Sequence, residues 1–479
     1  MITKKYMTIL HVSAECYPAA KIGGLGDVVG ALPKYLNQQG VTALVVMPWY
    51  QNAFFTQHSF ELIYTGRFRM YGTHTYQVWR LQQQDLGFDL HAIRIPGLLE
   101  QPQPYGYDND ADRFIAFQTA VAGWLNTWQT LPDVVHCHDH HTGLLPFFFM
   151  HAFAFNRLTQ LPNVFTVHNG SYQGWINWDK EHLLPAYDPL HRGLLEWNHA
   201  INSLAAAIKC CWRFTTVSPS YLEELQHEPV LGKLFSDEAA KGLGILNGID
   251  HQVWNPETDQ YLKAHYDSST VAEGKRMNKE FVCNQFGLSA QRPLVVFIGR
   301  LLPEKGADLL ADSFYRMTHE TNGGFSFLVL GSGLPQYERS LQDLHGALPD
   351  YFNCYIGYHE ELAHLLYAAA DFLLMPSRSE PCGLNQLYAL RYGTIPIVRS
   401  VGGLKDTVID FGDPGGFGIR FEQATVDDIC HALHRAYQLY ALSSKLDHLR
   451  SYIMKFDHSW TEAARNYLAL YRTVTASGL

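Results

Sequence analysis

The chain has no C-x-x-C pair among its eight cysteines, and two of them, Cys210 and Cys211, are adjacent. Neither a disulfide framework nor a thiolate metal ribbon is its organising device, and the pattern reads as reduced thiols in a cytoplasmic protein. It has no apolar stretch approaching the length of a membrane-spanning helix, so no membrane partner is expected. It has no surplus of basic residues. Against 46 Asp and Glu stand 36 Lys and Arg, a net charge of −10, which argues against a nucleic-acid surface. Basic groups that meet phosphate must then be few and individually placed. It has no low-complexity tract and no short fixed repeat. Lys4-Lys5 and the apolar residues after them resemble a signal peptide only faintly. The run reaches His11 and Glu15 before any cleavage signal, so a first buried strand is the better reading.

What is present is length and rhythm. At 479 residues the chain exceeds one core, and 47% apolar with 17% charged residues describes an ordinary globular composition. Short apolar runs at 8–12, 43–47, 134–136, 164–167 and 214–216 read as strands. Helical patterns at 27–38, 111–128, 201–211 and 220–226 lie between them, and 59–96 reads as a small strand excursion. The rhythm restarts with strands at 294–298, 325–330, 354–356, 372–375 and 395–398 and helices at 308–317, 360–370 and 385–392. Such alternation implies parallel sheets built from βαβ units. Two sets, meeting near Leu246-Asn247-Gly248-Ile249-Asp250, imply doubly wound domains over 1–247 and 248–457. Ser459 and Glu462 have capping-box spacing at the start of a last helix within 458–479.

Glycine-rich turns punctuate both halves. Lys21-Ile22-Gly23-Gly24-Leu25-Gly26-Asp27 follows the first strand, and Ser379-Glu380-Pro381-Cys382-Gly383-Leu384 follows the 372–375 run. A further Gly402-Gly403-Leu404 comes after the last strand. Glycines that let backbone N–H groups approach closely suit a nucleotide phosphate, but a tight turn beside a solvated lysine has the same appearance. Arg300 and Lys305 flank a turn after 294–298 and could share one anionic group, Arg by its fork and Lys as a point charge, or could be plain surface charges. Glu380 could stabilise an oxocarbenium-like centre, or serve only as a helix N-terminal acid. His136-Cys137-His138-Asp139-His140-His141 nearly matches the H-x-H-x-D-H of binuclear zinc hydrolases, with His140 where that pattern needs Asp. Because the run continues a strand, alternate side chains face opposite ways, and a sugar-binding histidine at a strand end is the expectation rather than a metal.

Taken together these segments resemble the bacterial glycogen synthase and plant starch synthase family, essentially end to end. Residues 21–27 look like its K-T-G-G-L-A-D, 132–143 like P-D-V-V-H-x-H-D-W-H-x-G, 165–174 like F-T-x-H-N-x-x-Y-Q-G and 300–306 like R-L-x-x-x-K-G. Most specific is Met375-Pro376-Ser377-Arg378-Ser379-Glu380-Pro381-Cys382-Gly383-Leu384. The resemblance implies an α/β GT-B fold, two Rossmann-like domains facing across a deep cleft, with the last helix returning to the first. It implies transfer of glucose from ADP-glucose to the non-reducing end of an α-1,4-glucan with retention, without metal or other cofactor. Carried over residue by residue, Glu380 matches the essential carboxylate, Arg300 and Lys305 the pair that neutralises the diphosphate, and His141 the histidine that contacts the transferred glucose. Lys21, Gly23 and Gly24 match the N-terminal phosphate loop. Tyr358 matches the aromatic on the base, and Cys382, Gly383, Leu384, Gly402 and Gly403 fall on the donor side. Asp27 and Asn169 fall at acceptor- or sugar-side positions. The family's Thr, Ala and Trp are replaced here by Ile22, Gly26 and His140. UDP-glucose as donor, short maltooligosaccharides as acceptors, or a glucan-binding homologue without activity are the alternatives; the oligomeric state is not readable.

Overall fold

The computed structural model describes residues 6–83 and 85–476, so Lys4-Lys5 lie outside the described residues. The chain divides into two compact units, Met1–Leu246 with Trp460–Leu479, and Asn247–Ser459.

The first unit is built on a nine-stranded sheet. Its order from edge to edge is Gly242–Gly244, Arg213–Thr216, Asn163–Val167, Val134–His138, Thr8–Val12, Thr42–Pro48, Asp89–Arg94, Thr73–Leu81 and Phe60–Arg69. The first seven are mutually parallel, and the last two add on antiparallel. The strand excursion expected over 59–96 is present, and it prolongs the main sheet. The central strands are buried on both faces, as parallel strands between helices must be. The closing helix Trp460–Ala476 packs Trp460, Tyr467 and Tyr471 against Val28, Leu32 and Leu36 of the first helix, Gly24–Gln38. Its Tyr471 hydroxyl bonds His136 Nδ1 at 2.7 Å. At its start the Glu462 carboxylate accepts from Arg465 at 2.9 Å, and Asp457 accepts the Ser459 N–H at 2.9 Å.

The second unit has a six-stranded, wholly parallel sheet. Its order is Phe352–Ile356, Ser326–Gly331, Leu294–Ile298, Phe372–Met375, Ile395–Arg399 and Ile419–Phe421. Asp371 ties it together from within. Its carboxylate takes Lys279 Nζ at 2.6 Å and the Leu294 N–H at 2.8 Å, and also pairs with Arg450. Among the described residues no helix is long and apolar enough to cross a membrane, and all eight cysteines are free.

Counted by order of appearance, the parallel strands of the first unit run 3-2-1-4-5-6-7 and those of the second 3-2-1-4-5-6. Both are Rossmann-like doubly wound sheets. In each, strand order reverses between strands 1 and 4, and ligands of such sheets bind beyond the carboxyl ends of those two strands. The rule points to the loops after Val12 and His138 in the first unit, and after Ile298 and Met375 in the second.

Two local boundaries bear on those loops. The first helix begins at Gly24, not Asp27, so the glycine turn is itself the first helical turn. The strand Val134–His138 is two residues longer than its apolar run, which carries His138 into the sheet.

Candidate active site

In the second unit the loop after Ile298 and the loop after Met375 meet. Lys305 Nζ lies 2.6 Å from Glu380 Oε2, and Ser377 Oγ donates to the same oxygen at 2.9 Å. Glu380 is buried, and the Lys305 side chain is about one quarter exposed, at 24%. The turn that delivers Lys305 ends at Gly306, φ +70°, where a Cβ would stand 2.4 Å from the Pro376 carbonyl oxygen. Only glycine lets the two loops approach so closely. The third glycine turn closes over the same group. The Gly403 N–H donates to the Glu380 carbonyl at 3.0 Å, and a Cβ at Gly402 or Gly403 would strike the carbonyl oxygen of Glu380 or Cys382, at 2.1 and 2.0 Å.

Arg300 follows the Gly299 end of its strand but turns to solvent, where it pairs with Glu304 at 2.8 Å. It does not touch Lys305 or Glu380 in this structure. Cys382 is buried, and burial pushes its thiol up to about 12, so it is a neutral packing group. Gly383 takes a left-handed φ of +72°, and Leu384 precedes the helix Asn385–Arg391. Gln386 Nε2 bonds both the Cys382 and Gly383 carbonyls at 3.0 Å. Tyr358 stands beyond the outermost strand, 83% exposed, with its hydroxyl 3.2 Å from Glu360 Oε2.

In the first unit the reversal point gathers a second group. Glu15, two residues beyond the Ser13 that follows the first strand, accepts the Ile22 N–H at 2.5 Å and the Gly23 N–H at 3.1 Å through one oxygen. It accepts the Tyr105 hydroxyl at 2.7 Å through the other. A buried carboxylate thus satisfies backbone donors at the helix N-terminus. Burial raises its carboxyl above the ordinary range, while these three donors pull the other way. Lys21 pairs with Asp27 at 2.7 Å across the turn. A Cβ at Gly26 would lie 3.1 Å from Lys21 Cβ, a tight contact.

The Tyr105 ring stacks on His141, centroids 4.9 Å apart, and Phe114 meets His141 edge-on at 4.6 Å. His141 is buried, its pKa pushed well down, and its Nδ1 has no partner among the described residues. The imidazole is neutral, and this unpaired nitrogen is itself buried. Asn169 is held by Asp139. The Asp139 carboxylate accepts the His168 N–H at 2.7 Å and also the Asn169 N–H. Asp139 holds φ +56° and ψ 174°, a region that costs a non-glycine residue roughly 1–3 kcal/mol.

The histidine run separates as strand alternation requires. His136 and His138 point to one face, while His140 and His141 leave on the turn that follows. With His11 the first two bring ring nitrogens within 4.8 Å of one another, a buried trio of metal-ligating type. Hydrogen bonds occupy all of these nitrogens but His11 Nε2, which has no partner among the described residues. His138 bonds His11 at 3.1 Å and His168 at 3.0 Å, and His136 bonds Tyr471 at 2.7 Å and Thr166 at 2.6 Å. Burial lowers His11 and His168 to about 3 and holds His136 and His138 well below the ordinary imidazole value, so the network is neutral.

Three residues of these clusters were not singled out by sequence: Glu15, Tyr105 and Ser377. Glu15 had a signal, a lone carboxylate directly beyond the first strand and just ahead of a glycine turn. Tyr105 had none, because its loop lies far from either motif in sequence.

The family described as starch synthase catalytic domain matches residues 8–237, and that described as glycosyl transferases group 1 matches 278–452. A glycogen synthase of Flavobacterium johnsoniae is 46% identical over 470 residues, 98% of this chain and 99% of that protein. One from Rhodospirillum rubrum is 38% identical over 487 residues, covering 97% and 98%. Among solved structures, the catalytic domain of starch synthase IV from Arabidopsis thaliana, bound to ADP and acarbose, superposes with TM-score 0.88. It is 32% identical and the match covers 98% of this chain and all of that one. A sucrose-phosphate synthase from Thermosynechococcus elongatus, 17% identical at TM-score 0.63 over 98% of this chain and 100% of its own, shares the fold.

Proposed function

Because the chain belongs to the glycogen synthase and starch synthase family of GT-B glycosyltransferases, we propose that it moves glucose from ADP-glucose to the non-reducing end of an α-1,4-glucan with retention of configuration. The Lys305–Glu380 pair at the reversal point of the second sheet is the observation that carries this reading. Breaking the sugar–phosphate bond leaves negative charge on the diphosphate and an electron-poor glucosyl carbon. Lys305, with Arg300 swung from Glu304, neutralises the first. Glu380 faces the second as a fixed negative charge. Gly402 and Gly403 lie on the donor side of the second unit, and Lys21, Gly23 and Gly24 form the phosphate loop of the first. Tyr358 stacks on the base, Cys382, Gly383 and Leu384 shape the donor loop, and His141 holds the glucose. Asp27 and Asn169 lie on the acceptor side. No metal is required for charge neutralisation.

Glu380 Oε2 already accepts from both Lys305 and Ser377. A carboxylate so engaged is a poor nucleophile, which favours electrostatic stabilisation, with the acceptor entering on the leaving-group face, over a covalent glucosyl-enzyme. ADP as the nucleotide is supported by the ADP in the Arabidopsis starch synthase structure. The free cysteines suit a cytoplasmic enzyme. The test is a radiolabel transfer assay with ADP-glucose and UDP-glucose, each with glycogen and with maltose. Transfer from ADP-glucose to both acceptors is expected; transfer from UDP-glucose alone, or from neither, overturns the reading.

A further inference from the structure

On the second unit an open cavity of about 630 Å³ lies between the Val271–Phe286 helix, the Glu360–Ala369 helix and the edge strand Phe352–Ile356. None of its lining residues belongs to the Lys305–Glu380 group. We propose that this cavity binds a stretch of α-1,4-glucan away from the end being extended, an inference that rests on the glucan reading above.

The walls are held in place before any ligand arrives. The loop that supplies Tyr261 and Lys263 is pinned to one helix by Asp259, which bonds His364 at 2.7 Å and also Tyr392, and to the other by Asn278. The Asn278 side chain accepts the Lys263 N–H at 2.9 Å and donates to the Ala264 carbonyl at 2.8 Å. The edge strand is pinned by Asn353 Nδ2, 2.8 Å from the Phe286 carbonyl. Asp259, His364 and Asn278 are buried, so these are permanent struts. A preformed wall spares a ligand the cost of ordering it.

The lining combines aromatic surface with planar polar groups. Phe281 and Phe286 are half-buried and Tyr355 is 37% exposed, so the aromatic lining is not a sealed core. Gln285 and His359 line it too; His359 Nδ1 accepts the Leu362 N–H at 3.2 Å, which leaves the proton on Nε2 as a donor. A glucan presents C–H faces edged by vicinal hydroxyls, and this combination matches it. The charged groups are one lysine and one glutamate, and Lys263 lies 4.4 Å over the Phe281 ring. There is no cation surplus for a phosphate or nucleic acid. The volume falls in the ~300–1,000 Å³ range of ligand sites, room for more than one sugar ring.

The full-length chain tests this, with Tyr355→Ala and Gln285→Ala as separate variants. Both side chains are exposed, and neither belongs to the proposed transfer site. Each variant is assayed with maltose and with glycogen, and run on native gels with and without glycogen. Tyr355→Ala should raise the glycogen KM roughly threefold to tenfold, the size of one aromatic contact, and weaken gel retardation; Gln285→Ala should do so less. Maltose kinetics and the ADP-glucose KM should not move. Unchanged glycogen KM and retardation in both variants overturn the proposal. So does loss of maltose transfer in both, which would make the cavity part of the transfer machinery. If wild-type chain transfers to neither acceptor, the glucan-synthase reading has failed, and gel retardation alone decides the site. Wild-type retardation lost in Tyr355→Ala would support the site, and its persistence or absence in wild type would refute it.

Discussion

Lys305 Nζ and Glu380 Oε2 stand 2.6 Å apart, where the two central strands of the second sheet end. Each group holds the other in a defined place. If Lys305 is the fixed cation at the leaving diphosphate, Lys305→Ala should lower kcat by roughly 10²-fold or more. Arg300→Ala should also fall, with a larger share in KM, because Arg300 must first leave Glu304. Activity should survive a chelator unchanged. Rescue of chelated wild type by added Mg²⁺ would contradict the neutralisation by these two side chains.

Tyr358 is 83% exposed beyond the sheet edge, with its hydroxyl 3.2 Å from Glu360. Stacking of a base on an aromatic ring is worth about 1–3 kcal/mol in nucleic-acid complexes. Tyr358→Ala should therefore raise the ADP-glucose KM by about tenfold with little change in kcat. Steady-state kinetics with saturating glycogen decide it, and an unchanged KM removes Tyr358 from the site.

Asp139 gives a pH signature. Burial lifts its carboxyl from an ordinary 3.8 to about 7. Between those values the folded chain keeps a proton that the unfolded chain has lost, so the contribution of Asp139 to stability declines as pH rises towards 7 and stays low above it. Asp139→Asn does not titrate and keeps an oxygen acceptor for His168. Its Tm relative to wild type should climb between pH 5 and pH 8. A flat difference across that range would show that the carboxyl is not raised.

The alternation of strands and helices was legible because parallel strands buried on both faces read as short apolar runs, as at Leu294–Ile298 and Phe372–Met375. The Val271–Phe286 helix was not legible. Its inner face buries Lys275, Asn278 and Lys279, so apolar periodicity is missing although the helix is central to its unit. Glu380 and Lys305 were legible as candidates through their glycine-flanked turns, but their direct pairing was not, since 75 residues separate them. Tyr105 and its bond to Glu15 were invisible for the same reason, a separation of 90 residues. The histidine run was ambiguous in sequence because alternation alone does not reveal that Tyr471 of the closing helix and Thr166 occupy the His136 nitrogens.

The double engagement of Glu380 Oε2 also makes a chemical prediction. With a slow fluorinated ADP-glucose analogue, intact-mass spectrometry of wild-type enzyme should find no glucosyl adduct. A trapped adduct on Glu380 would replace charge stabilisation by covalent catalysis.

The most direct test of the account is glucosyl transfer from ADP-glucose to maltohexaose by wild type and Glu380→Gln side by side, with donor affinity measured by calorimetry on the same preparations. Glutamine keeps the shape and removes the charge. The expected result is a loss of about 10²–10³-fold or more in kcat with ADP-glucose Kd within a few-fold of wild type. A Glu380→Gln enzyme that transfers glucose at the wild-type rate would contradict the assignment of the site.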